Sequence, residues 1–143
     1  PDKALFREQL ALLGLDLEER INQKVKLLSG GQRQALTLLM ATMGRPKLLL
    51  LDEHTASLDP AIAKKVLHLT RKFVSEEKLT TIMITHNMKA ALEYGSRTIM
   101  MHEGEIILDL SGEERAEMTV ERLVKYFESR SGVQLENDRL LLS

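Results

Sequence analysis

The chain of 143 residues contains no cysteine, which excludes disulfides and cysteine-ligated zinc and fits a reducing compartment. It has no tryptophan, and three Phe with two Tyr are too few to interleave a nucleic-acid-binding patch. Neither sign of charge prevails: 20 basic and 21 acidic residues, interspersed, leave a net charge of −1 and no electrostatic footprint for nucleic acid. No apolar run approaches the ~20 residues that a membrane-spanning helix requires. Internal repeats and low-complexity segments are also lacking. What remains is enough for one ordinary domain with a real core. The first residue is Pro1, and a helical pattern begins at once, so the chain reads as a piece of something longer.

Two chemical devices lie close together between Leu27 and Pro60. The first is Ser29-Gly30-Gly31-Gln32 at the head of an apolar-rich segment that reads as a helix over about 31–43. Two glycines permit a sharp turn and a close approach to a ligand. A helix start presents unpaired N–H groups at a positive dipole end, a ready site for an anion such as phosphate. The second device is Leu48-Leu49-Leu50-Leu51-Asp52-Glu53. Leucines without alternation predict a strand over about 47–51, buried on both faces as in a parallel sheet. Two carboxylates at its C-terminal end stand where open α/β sheets bind ligands.

The rest of the chain alternates in the same manner. Leu5, Phe6, Gln9, Leu10 and Leu13 have helical spacing, with Gly14 as a stop, and 15–26 read as a turn and a loop. The helix after Gly31 is apolar almost all round, which predicts burial, and Gly44-Arg45-Pro46 ends it. Asp59 before Pro60 is a good N-cap for an amphipathic helix on Ile62, Val66, Leu69 and Phe73. Residues 80–85 (TTIMIT) predict a second buried strand, with His86 just past its end and level with Asp52 and Glu53 if the strands are parallel neighbours. A short helix over 88–94 leads to a hairpin, Arg97–His102 and Glu105–Leu110, turning at Glu103-Gly104. Ser111 to Glu114 has capping-box spacing, and Thr119 caps a last helix on Val120, Leu123, Val124 and Phe127. Beyond Gly132 the pattern is ambiguous. Strand–helix alternation makes the fold class α/β with a mostly parallel sheet.

Four of these strings, in this order and spacing, resemble the ATP-binding-cassette (ABC) transporter ATPases over about residues 13–110. Leu28 to Gln32 (LSGGQ) resembles the family signature, LLLLDE its Walker B strand, Ser57 to Pro60 (SLDP) its D-loop, and His86 its switch histidine. The resemblance implies a partial P-loop NTPase domain. Residues 1–45 would be the rest of a helical subdomain plus the signature helix, 46–110 the Walker B to hairpin core, and 111–143 a C-terminal helical extension. The family's phosphate cradle, G-x-x-x-x-G-K-[ST], occurs nowhere in the chain. The family carries that motif and its Q-loop upstream of the signature, so the chain resembles the C-terminal half of a cassette. In this fold the Walker A strand lies between the switch-histidine strand and the next. Its absence predicts an unpaired edge and self-association of the fragment.

The same resemblance assigns roles. Asp52 would hold Mg²⁺, and Glu53 would be general base toward the attacking water. Ser29, Gly30, Gly31 and Gln32 would contact the γ-phosphate of ATP held by a second nucleotide-binding subunit of a dimer, and Asp59 would line the dimer interface. His86 would sense the γ-phosphate. Each has a blander reading beside it: acids that cap or face solvent, an N-cap and turn at Ser29, an N-cap at Asp59, a satisfied histidine at a strand end. His54 stands where the family commonly has proline; with MATMGRPKLLLLDEHTASLDP it looks like a bacterial importer subgroup. The implied protein hydrolyses ATP to drive a separate transmembrane permease from the cytoplasmic face of the membrane, while the fragment alone is inactive. A soluble cassette ATPase acting on nucleic acid or ribosomes, and a non-catalytic binding fragment, are the alternatives.

Overall fold

Leu48–Asp52 forms strand β1 and Thr80–Ile84 strand β2, paired in parallel so that Asp52 stands opposite Ile84. In the computed structural model, residues 3–132 are described and the chain divides into two units, Pro1–Ile84 and Thr85–Ser143. The ambiguous tail after Gly132 lies outside the described residues.

In the first unit, α1 (Lys3–Ala11) ends in a turn closed by Gly14, whose N–H reaches the Ala11 carbonyl at 3.0 Å and whose φ is +61°. Two short 3₁₀ turns, Glu18–Arg20 and Val25–Leu27, carry the chain to α2 (Gly30–Met43). After β1 comes α3 (Pro60–Glu76), started by Asp59, which accepts from the N–H groups of Ala61 and Ile62 at 3.1 Å each. The core joins Leu10, Leu13, Leu17, Leu28, Ala35, Leu38, Leu39, Leu49, Leu51, Leu69 and Phe73. Leu13, Leu38 and Leu39 are almost wholly enclosed, and burying one such side chain is worth about 1.5–3 kcal/mol.

Two burial expectations need correction. Helix α2 is buried along one side only, through its own Gly31, Ala35, Leu38, Leu39 and Thr42, while Met40 is 63 % exposed. Strand β1 is buried on one face through Leu49 and Leu51, but Leu50 is 65 % exposed; beside it on β2, Ile82 is 54 % exposed. The run of leucines specifies a strand fit for two covers, and among the described residues of this unit nothing covers the Leu48, Leu50, Ile82 and Ile84 side.

In the second unit, α4 (Met88–Glu93) is capped by Asn87, which accepts from Ala90 N–H at 2.8 Å. Strands β3 (Arg97–His102) and β4 (Glu105–Ser111) form an antiparallel hairpin. Its two-residue turn has φ of +49° at Glu103 and +84° at Gly104, the left-handed pair that matches strand twist. Helices α5 (Gly112–Ala116) and α6 (Val120–Ser131) follow, and Leu123 and Val124 are the buried positions of α6. The guanidinium of Arg115 donates to the carbonyls of Leu92 and Tyr94 and to Thr98 Oγ1, at 2.8–2.9 Å. It thereby places a cation at the negative end of α4. Thr119 caps α6 as expected, accepting from Arg122 N–H. Ser111 makes no side-chain cap for α5; it is still paired with Arg97 in the hairpin, and Gly112 at φ +53° turns the chain away.

The described residues thus form α/β structure with a parallel pair, flanking helices and a hairpin. No described strand joins β2 to β3, so the sheets are separate two-stranded pieces. No described helix is long and apolar enough to cross a membrane.

Candidate functional site

Ser29 opens α2 as an N-cap in a complete capping box. Its Oγ accepts from Gln32 N–H at 3.2 Å, and its own N–H donates to Gln32 Oε1 at 3.0 Å. Gln32 Nε2 also donates to the Leu15 carbonyl at 3.0 Å, so this side chain ties the helix start to the preceding loop. Ser29 and Gly30 are exposed, whereas Gly31 is buried. A Cβ on Gly31 would lie 2.1 Å from Ile62 Cγ2, and one on Gly30 would lie 3.3 Å from Leu58 Cδ2. The glycine pair therefore lets the start of α2 press against the 57–62 segment. Ser29 to Gln32 and Asp59 are brought together here, with Ser29, Gln32 and Asp59 in capping hydrogen bonds.

The carboxyl end of β1 delivers Asp52 and Glu53. Asp52 is exposed and lines an open cleft of about 170 Å³, with Gln34, Thr37, Leu38 and Ala41 from α2 and His54 from the loop. Glu53 is half-buried and takes the left-handed conformation at φ +44°. Its N–H donates to the Ile84 carbonyl at 3.0 Å, extending the parallel ladder one step beyond the strand. A non-glycine residue held there signals a local constraint of about 1–3 kcal/mol and is frequent at functional sites.

His54 had no role in the sequence reading, and the structure gives it one. Its Nε2 lies 3.1 Å from Thr70 Oγ1 on α3. Burial lowers the imidazole pKa from its ordinary 6.5 and so favours the neutral ring. No local signal links residues 54 and 70; the pairing depends on how α3 returns past the end of β1. His86 is exposed and follows β2 by two residues, between Thr85, whose Oγ1 accepts from Asn87 N–H at 3.1 Å, and the Asn87 cap. It belongs to the second unit.

A lone exposed carboxylate at a strand end suits Mg²⁺, which retains several waters and takes one or two protein carboxylates. Asp52 meets that requirement. Among the described residues no cluster of three or more His, Cys, Asp or Glu offers a full protein cage. For nucleotide phosphates the chain provides the exposed start of α2 but no lysine-bearing glycine loop.

The ABC transporter family model matches residues 2–56. A tyrosine transport ATP-binding protein of Clostridioides difficile is 51 % identical over 116 residues, covering 81 % of this chain and 46 % of that protein. A phosphonates import ATP-binding protein of Halalkalibacterium halodurans is 35 % identical, covering 79 % of this chain and 44 % of that protein. A solved structure, described as an inward-facing conformation of a metal-chelate type ABC transporter, superposes with a TM-score of 0.68. That match has 29 % identity and covers 85 % of this chain and 47 % of the other. The chain thus spans about half the length of the curated relatives it matches.

Proposed function

Because the chain belongs to the ABC transporter ATPase family, we propose that it is the signature-to-hairpin portion of an ATP-hydrolysing subunit that powers a separate membrane permease. The observation that carries this reading is the pair of carboxylates at the open end of a parallel strand, one exposed beside a cleft and the next held at φ +44°.

Bound Mg²⁺ would neutralise phosphate charge, with Asp52 as its protein ligand. Glu53 accepts the proton of the attacking water, a general-base contribution of about 10²–10⁴ in rate. Most of the remaining catalysis of phosphoryl transfer is positioning and charge neutralisation, and the residues for it are divided. Ser29 and Gly30, exposed at the positive end of α2, face the γ-phosphate of ATP bound by a second nucleotide-binding subunit. Gly31 and Gln32 shape that helix start, and Asp59 holds the adjoining loop at the dimer interface. His86 donates a hydrogen bond to the γ-phosphate. Without a lysine-bearing phosphate loop the 143-residue chain does not turn over by itself. The ATPase is peripheral, on the cytoplasmic face. The transported solute is selected by the permease; the tyrosine-transport relative makes an amino acid the first cargo to try.

The test is ATP turnover by the full-length protein with Glu53→Gln. Loss of at least about 100-fold in kcat, with ATP still bound, supports the base assignment. Undiminished turnover removes it.

A further inference from the structure

The left-handed backbone of Glu53 persists only where its surroundings over-determine it. Two restraints come from β2 and from the loop itself: Glu53 N–H to the Ile84 carbonyl, and Ala56 N–H to the Glu53 carbonyl, both at 3.0 Å. The third comes from the next residue. His54 Nε2 meets Thr70 Oγ1 at 3.1 Å, and Thr70 is buried on α3. The one hydroxyl hydrogen of Thr70 is committed to the Val66 carbonyl at 2.9 Å. Its oxygen is therefore the acceptor, and the imidazole donates from Nε2.

We propose that His54 is a positioning residue for Glu53: its hydrogen bond to Thr70 clamps the loop after β1 onto α3 and fixes the direction in which the Glu53 carboxylate leaves the strand. The proposal rests on Glu53 being the proton acceptor. It separates the two neighbours by function: Glu53 meets the water, and His54 bonds to the scaffold through Thr70.

Steady-state kinetics of the full-length protein test it, with Glu53→Gln as reference. Misplacing a reacting group by about 1 Å can cost about 100-fold, so His54→Ala and Thr70→Val each lower kcat by about 10- to 100-fold with the KM for ATP within about twofold. The double variant is no slower than the slower single one, because both remove one bond. His54→Gln, whose amide nitrogen reaches the place of Nε2, restores most of kcat. Multiplicative losses, a His54→Gln as slow as His54→Ala, or wild-type kcat in His54→Ala while Glu53→Gln is inactive would overturn the positioning role alone. Turnover by Glu53→Gln would instead remove the proton acceptor, and the proposal with it.

Discussion

At Gly31 the side chain that is missing matters more than any that is present. An alanine there would drive its methyl to 2.1 Å from Ile62 Cγ2, a methyl carried on the branched Cβ, whose χ1 is held to one strongly preferred rotamer within α3. Alanine gains about 1 kcal/mol in helix propensity, but overpacking of about 1–3 kcal/mol offsets or exceeds it. Gly31→Ala is therefore expected to lower the melting temperature, and Ile62→Ala in the same chain to recover part of the loss. Gly30→Ala meets only the end of the flexible Leu58 side chain at 3.3 Å and should be close to neutral. Equal melting temperatures for the two single variants would show that the α2–α3 approach is looser than described. This contact was illegible in the sequence, because a glycine's neighbour thirty-one residues away leaves no local mark. Asp59 was legible: an acid before Pro60 and an apolar helical pattern is a local statement, and both its N-cap bonds are present. His54 failed for the same reason as Gly31, its meaning being set by Thr70.

At the scale of elements, type was easier to read than cover. Helix α2, strands β1 and β2, helix α3 and the hairpin fall within a residue or two of their predicted bounds, because periodicity and breakers fix them locally. Burial on the second face of β1 did not follow, since a leucine run states what a strand tolerates rather than what lies over it. Leu48, Leu50, Ile82 and Ile84 form an apolar side shared by two paired strands. Contiguous exposed apolar surface and open strand edges recruit partners. The 143-residue chain is accordingly expected to self-associate, its sedimentation coefficient rising with concentration. Leu50→Lys with Ile82→Lys should suppress the rise. A monodisperse monomer at high concentration would contradict it.

At the scale of the whole molecule, the chemistry is unevenly distributed. The chain holds the carboxylates, the signature helix start and the histidine after β2, while the lysine and glycine loop that grips phosphates is nowhere in its sequence. The chain spans about half the length of its relatives, and under the proposed function it supplies one side of a pocket. Family membership was legible because short motifs in fixed order survive without knowledge of packing; the division between two units, at residues 84 and 85, was not. The most direct test is phosphate release from Mg-ATP by the 143-residue chain, alone and with a separately expressed segment bearing G-x-x-x-x-G-K-[ST]. No release from the chain alone, and release on complementation that Glu53→Gln abolishes, is the predicted result. Sustained release by the unaided chain would contradict the claim that its acids serve a pocket completed from elsewhere.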